Sequence, residues 1–203
     1  MEKSKELTTR QIQAKETRKK IFDSAITLFY EKGYGKTTIN DIVKKAGTSK
    51  GSFYTYFNSK SEVIVEQFKE IDNHYLEVYS NMEDINSYKD KLLFFVDKQL
   101  KFIVNNLNVE ITKILYKNQL ETNAEKIIIN RDRPLYSIIT EIIKNGQNNS
   151  EFRRDLSAEE LAEMYIRSMR AIFFDWGVAD GKFDFVKKGN KYFKDFVIKA
   201  ILK

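Results

Sequence analysis

Residues 38–57 read Thr-Ile-Asn-Asp-Ile-Val-Lys-Lys-Ala-Gly-Thr-Ser-Lys-Gly-Ser-Phe-Tyr-Thr-Tyr-Phe. Thr38 with Asp41 three residues on is a capping-box-like pair, which satisfies the free N–H groups at the start of a helix. Ile39, Ile42, Val43 and Ala46 give that helix its buried side, and Gly47 ends it. Ser49 then caps a second short helix, Lys50 to Phe57, whose Phe53 and Phe57 lie four apart and point inward. Two short helices joined by a Gly-containing turn form a helix-turn-helix unit. Lys50, Ser52, Tyr54 and Thr55 fall on the remaining faces of the second helix. Small, hydroxylated and basic side chains there let a helix approach a DNA groove and bond to base edges or phosphates.

The flanks read as helix too. Upstream, Ile21, Phe22, Ala25, Leu28 and Phe29 recur at three- and four-residue steps within Thr9–Lys32, and Gly33 stops the run. Phe22, Phe29, Ile42, Phe53 and Phe57 are expected in the core. Downstream, Ser59-Lys60-Ser61-Glu62 spells a full capping box that opens a long helix toward Met82. Further helices are expected near 87–107, 109–121, 124–147, 158–179 and 185–202. Pro134 falls inside the third of these, where it either kinks the helix or marks the first turn of a new one. Ser157-Ala158-Glu159-Glu160 is another capping box. One proline and eight glycines in 203 residues leave too little punctuation for an all-β chain. The fold class is all-α: an N-terminal three-helix domain over 1–60 and a C-terminal helical domain over 61–203.

Charge is unevenly spread. Residues 1–60 hold thirteen Lys/Arg against six acids, while the remainder is almost balanced, so the whole +6 excess lies at one end. A polyanion is drawn to that end. The arm Met1–Thr9, with Lys3 and Lys5, is expected to add electrostatic affinity. No cysteine is present and His74 is the one histidine, which removes disulfides, thiolate metal sites and imidazole clusters. No metal site and no cofactor are expected. Met1–Lys20 is charged and shows no signal-peptide pattern, and the longest apolar runs, such as Ile127-Ile128-Ile129, are far too short for a bilayer. A cytoplasmic location with no membrane partner is expected. Gly-x-Ser-x-Gly, phosphate-loop and His-Glu-x-x-His patterns are all missing, so an enzyme is not expected.

Residues 18–62 closely resemble the DNA-binding domain of the tetracycline-repressor (TetR/AcrR) family. The resemblance is carried, without a gap, by Ala25, Leu28-Phe29, Gly33-Tyr34, Thr37-Thr38, Ile42, Ala46-Gly47, Ser49-Lys50-Gly51-Ser52, Tyr54, Tyr56-Phe57 and Lys60. Thr48, where an aliphatic residue is common, and Phe53, where leucine is usual, are local departures. The resemblance implies a DNA-binding set of Thr38, Asn40, Ser49, Lys50, Gly51, Ser52, Tyr54, Thr55, Tyr56 and Lys60. In it Thr38 and Lys60 would hold phosphates at helix starts, Tyr54 and Tyr56 would touch the backbone, and Lys50 would carry sequence choice.

It further implies a C-terminal region that binds an effector and forms a homodimer through the last two helices, which are rich in aromatic and aliphatic residues. Candidate effector-lining residues are His74, Tyr75, Phe94, Phe95, Phe102, Tyr116, Tyr136, Arg170 and Trp176, and their aromatic character suggests an apolar or aromatic ligand. The expected function is a repressor released from palindromic, double-stranded operator DNA by a small molecule. A ligand-independent, chromosome-organising DNA binder is the competing reading.

Overall fold

The computed structural model describes residues 8–122 and 125–203, so the arm at Lys3 and Lys5 lies outside the described residues. Ten α-helices are described, with no strand: α1 Thr9–Lys32, α2 Ile39–Ala46, α3 Lys50–Tyr56, α4 Lys60–Ser80, α5 Tyr88–Asn106, α6 Val109–Leu120, α7 Pro134–Asn148, α8 Ala158–Val178, α9 Phe185–Tyr192 and α10 Ile198–Ile201. The chain divides into two compact units, Met1–Glu66 and Gln67–Lys203, with α4 starting in the first and ending in the second. No described helix is long and apolar enough to cross a membrane.

In the first unit α1 buries Ile21, Ala25, Leu28 and Phe29 against Ile42 and Val43 of α2, Phe53 of α3 and Phe57 just beyond it. Phe22 departs from expectation and is only half-buried. It sits one residue, or about 100° of helix, from Ile21 and so falls at the edge of a narrow stripe. The buried Thr37 hydroxyl donates to the carbonyls of Leu28 and Gly33, which fixes the α1–α2 connection from inside. The expected box at Ser59 is only half made. Ser59 Oγ accepts from the Glu62 N–H at 3.3 Å, but the Glu62 carboxylate reaches Asn58, one residue earlier, accepting from its backbone N–H at 2.6 Å.

The second unit packs α7 on α8, α5 on α9 and α6 on α8. Its core includes Phe95, Leu100, Ile139, Ile143, Tyr165, Phe185 and Phe193. Gly189 lets α9 approach α5 closely: a Cβ there would stand 2.7 Å from Leu100 Cδ1. The single helix expected over 124–147 is instead a 3-10 turn, Ile127–Ile129, followed by α7, with Asn123 and Ala124 outside the described residues. Pro134 is the first residue of α7: it has no N–H to leave unpaired there and holds Arg133 extended at ψ 141°. The last expected helix is interrupted at Phe193–Val197 by a π turn. The chain end is tied down where Arg153 N–H donates to the Ile201 carbonyl at 3.0 Å and Lys203 N–H to the Glu151 carbonyl at 3.1 Å.

Candidate nucleic-acid interface and effector region

The reading head is set by local bonds. Thr38 Oγ1 accepts from the Asp41 N–H at 3.1 Å, and the Asp41 carboxylate accepts from the Thr38 N–H at 3.0 Å and hydroxyl at 2.8 Å. The backbone N–H of Thr38, then its hydroxyl and then Lys32 hold the Asp41 pKa down at about 2. The turn runs through Gly47 at φ 66°, a left-handed conformation that costs glycine little, and Thr48 N–H closes onto the Val43 carbonyl at 2.9 Å. Ser49 caps α3 by accepting from Ser52 N–H at 3.1 Å. Phe53 and Phe57 are sealed in the core, so the opposite side of α3 must face out.

That outward side holds Lys50, Gly51, Thr55 and Tyr54, the last 54% exposed, while Ser52 and Tyr56 are half-buried. Asn40, Thr38 and Ser49 are exposed. The hydroxyls are partly committed within the helix, since Thr55 donates to the Gly51 carbonyl at 3.0 Å and Ser49 and Ser52 lie 3.1 Å apart. Lys60 is placed differently from the rest. Its ammonium donates to the carbonyls of Tyr34 at 2.8 Å and Thr37 at 2.5 Å and lies 4.4 Å from the Tyr34 ring centroid, and burial draws its pKa down. Two of its three protons are thus spent inside the unit.

Lys36 and Lys44, which motif matching did not single out, are exposed, and like Lys50 they make no ion pair among the described residues. The basic excess of residues 1–60 was the signal for them. Arg18 is anchored by paired bonds to Glu66 and stands 5.2 Å from the Phe57 ring centroid.

Several of the effector candidates touch one another directly. His74 stacks on Phe102 with centroids 4.1 Å apart, and Tyr75 meets Phe95 at 5.6 Å, which brings these four together between α4 and α5. Tyr116 donates to the Arg170 carbonyl at 2.7 Å, and Arg170 donates to the Ile128 carbonyl at 3.2 Å, tying α6, α8 and the 3-10 turn. Trp176 packs on Phe185, 5.0 Å between centroids. Phe94 has Lys98 5.1 Å from its ring centroid. Tyr136 lines a surface groove of about 420 Å³ along α7 and α8, with Arg131, Glu141 and Glu163. No described group of His, Cys, Asp and Glu is arranged to hold a metal.

A second groove, about 560 Å³, runs along α8, α9 and the π turn. Ala171, Ile172, Phe183, Tyr192 and Phe196 give it an apolar floor, with Asp175, Lys188, Lys191 and Asp195 at its rim. Tyr192 stacks on Phe196, which is 62% exposed, and Val178 nearby in α8 is 67% exposed. The π turn inserts one residue of phase, so that Phe193 is sealed in the core while Phe196 stands outside.

Comparison with known proteins follows the same division. Residues 21–66 match the family described as bacterial regulatory proteins, tetR family, and residues 68–200 match the YsiA-like protein, C-terminal region. A fatty acid metabolism regulator protein of Bacillus subtilis is 23% identical over 171 residues, 84% of this chain and 88% of the relative. Two solved structures share the fold. FadR of Thermus thermophilus, in complex with lauroyl-CoA, has a TM-score of 0.71 at 18% identity over 92% of this chain and 95% of its own. FadR of Bacillus subtilis, in complex with stearoyl-CoA, has a TM-score of 0.70 at 20% identity over 90% of this chain and 98% of its own. From a capped helix-turn-helix with an outward basic face to a helical C-terminal unit, the chain belongs to the tetR family of bacterial regulatory proteins.

Proposed function

We propose that the protein is a homodimeric, sequence-specific repressor that leaves a palindromic operator when an apolar effector enters its helical unit. The observation that carries this reading is α3. Its Phe53 anchor is fully buried while Lys50, Gly51, Tyr54 and Thr55 face outward on a short rigid element, as a major-groove reader requires. Lys50, Gly51, Ser52 and Asn40 take the base edges. Thr38, Ser49, Tyr54, Thr55 and Tyr56, with Lys36 and Lys44, take the backbone, while Lys60, whose ammonium is bound to the Tyr34 and Thr37 carbonyls, positions the head.

One α3 reads only a few base pairs, so two copies are needed. The α8–α9 groove suits a second copy of the chain, because an interface on a two-fold axis must be self-complementary. This one pairs an apolar floor with two lysines and two aspartates at its rim. Long-chain acyl thioesters are the first effector class to test, on the strength of the two acyl-CoA-bound neighbours. Release follows if the effector prefers a conformation whose two reading heads are wrongly spaced, and a tenfold loss of operator affinity needs only about 1.4 kcal/mol of such preference.

Footprinting on the DNA flanking the protein's own gene, repeated with lauroyl-CoA, stearoyl-CoA and a panel of aromatic compounds, tests the proposal. A symmetric footprint erased by one of these compounds is expected. A continuous, sequence-independent footprint that no compound alters would replace this reading with a ligand-independent DNA binder.

A further inference from the structure

Six polar or charged residues are buried among the described residues: Thr37, Gln67, Gln99, Thr112, Gln119 and Arg133. Four of them are matched. Thr37 donates to two carbonyls and Thr112 to the Asn108 carbonyl. Gln119 donates to the Glu125 carbonyl and accepts from Ile128 N–H, and Arg133 makes three bonds to Asp72. Gln67 and Gln99 differ. Gln67 Oε1 and Gln99 Nε2 are sealed from solvent with no hydrogen-bond partner, and His74 Nε2 is a third such atom. Gln99 Oε1 is used, accepting from the Tyr165 hydroxyl at 3.0 Å, and its Nε2 faces the Tyr75 hydroxyl.

Buried polar groups in folded proteins are nearly always paired, because dehydrating one without a partner is unfavourable. His74 and Gln99 lie where α4 faces α5, and Gln67 stands two turns earlier on α4, in a unit whose other buried polar groups are satisfied. Building on the effector-released reading above, we infer that the part of the effector held between α4 and α5 carries uncharged hydrogen-bonding groups, hydroxyl or amide, on an apolar skeleton. One is received at Gln67, and another two turns along α4, about 10 Å away, at His74 with Gln99. Gln67 Oε1 requires a donor and Gln99 Nε2 an acceptor, and His74 Nε2 serves as either according to its tautomer. The groups are uncharged because the one buried cation among the described residues, Arg133, is already neutralised by Asp72, so a carboxylate or phosphate there would lack a counter-charge. The skeleton is apolar because Phe68, Ile71, Tyr75, Phe95 and Phe102 make up the rest of this stripe.

The test is thermal melting of the full chain with three probes of equal chain length: 1-decanol, N-decylacetamide and decanoate. Either neutral probe should raise the wild-type melting temperature at a concentration where decanoate does not. The larger of the two shifts tells a hydroxyl ligand from an amide one. Gln67→Met and His74→Phe, which keep side-chain size, should each raise the ligand-free melting temperature and weaken the neutral probe at least tenfold. A decanoate shift as large as the neutral ones, full shifts retained in both variants, or a lower ligand-free melting temperature in Gln67→Met would each overturn the inference. Operator binding and its loss with stearoyl-CoA, measured on the same wild-type sample, test the repressor reading separately from the probe preference.

Discussion

Replacing Lys60 by methionine separates two roles that one lysine can play at the start of a helix. The ammonium donates to the Tyr34 and Thr37 carbonyls at 2.8 and 2.5 Å, and no acid among the described residues pairs with it. A hydrogen bond to a charged group contributes roughly 1.5–3 kcal/mol, but the site is half-buried and freed carbonyls can turn to water, so a total loss of about 1–3 kcal/mol is expected. For a chain of this length that lowers the melting temperature by roughly 2–4 °C per kcal/mol. Operator affinity should then fall because the head is less ordered, and equally at every salt concentration. A phosphate contact behaves otherwise: each contributes about 0.9 to the slope of log affinity against log salt, hence about 1.8 for two copies. Fluorescence anisotropy of a labelled operator across a salt series, with calorimetry of the free protein, reads both quantities. We expect a lower melting temperature and an unchanged slope. A slope reduced by about 1.8 with the melting temperature intact would refute the positioning role.

Three further outcomes follow from the same structure. Asp41 has a folded pKa of about 2 against an ordinary 3.8, so its stabilisation is complete above the ordinary value and lost as pH falls through the folded one. Asp41→Asn should therefore flatten the acid limb of the stability profile between those two values, followed by circular dichroism. Gly189→Ala places a Cβ 2.7 Å from Leu100 and should cost about 1–3 kcal/mol in chemical denaturation. Phe196→Glu puts a charge on the apolar floor of the α8–α9 groove, and sedimentation should show monomers whose operator affinity is lost.

The parts of the fold readable in sequence are those decided within one or two turns. Thr38 with Asp41, Ser49 before α3, Ser157 with Glu160 and the stop at Gly47 all act through neighbours, and each is seen in the structure. Pro134 could be read as a start or a kink, because its own chemistry allows both, and only the extended Arg133 decides for a start. What escaped the reading depends on partners far along the chain. Lys60 is committed by carbonyls 23 and 26 residues earlier, and Arg133 by an aspartate 61 residues away. All the effector candidates but Arg170 are aromatic, yet aromatic type alone cannot separate Trp176, packed on Phe185, from His74, stacked on Phe102. Gln67 and Gln99 are buried although glutamines on a helix usually face water, and nothing local in the sequence marks these two. The π turn that turns Phe196 outward likewise has no signature in the apolar spacing of the last helix.

The most direct test of the account is methylation protection of guanine N7, a major-groove atom, on the operator with wild-type protein and with Lys50→Ala. Two protected patches related by two-fold symmetry are expected, each losing protection at the same position when Lys50 is removed, with about 1–3 kcal/mol of discrimination gone per contact. Guanine N7 left unprotected across the bound operator, or a pattern identical in the two proteins, would contradict the presentation of α3 to the groove.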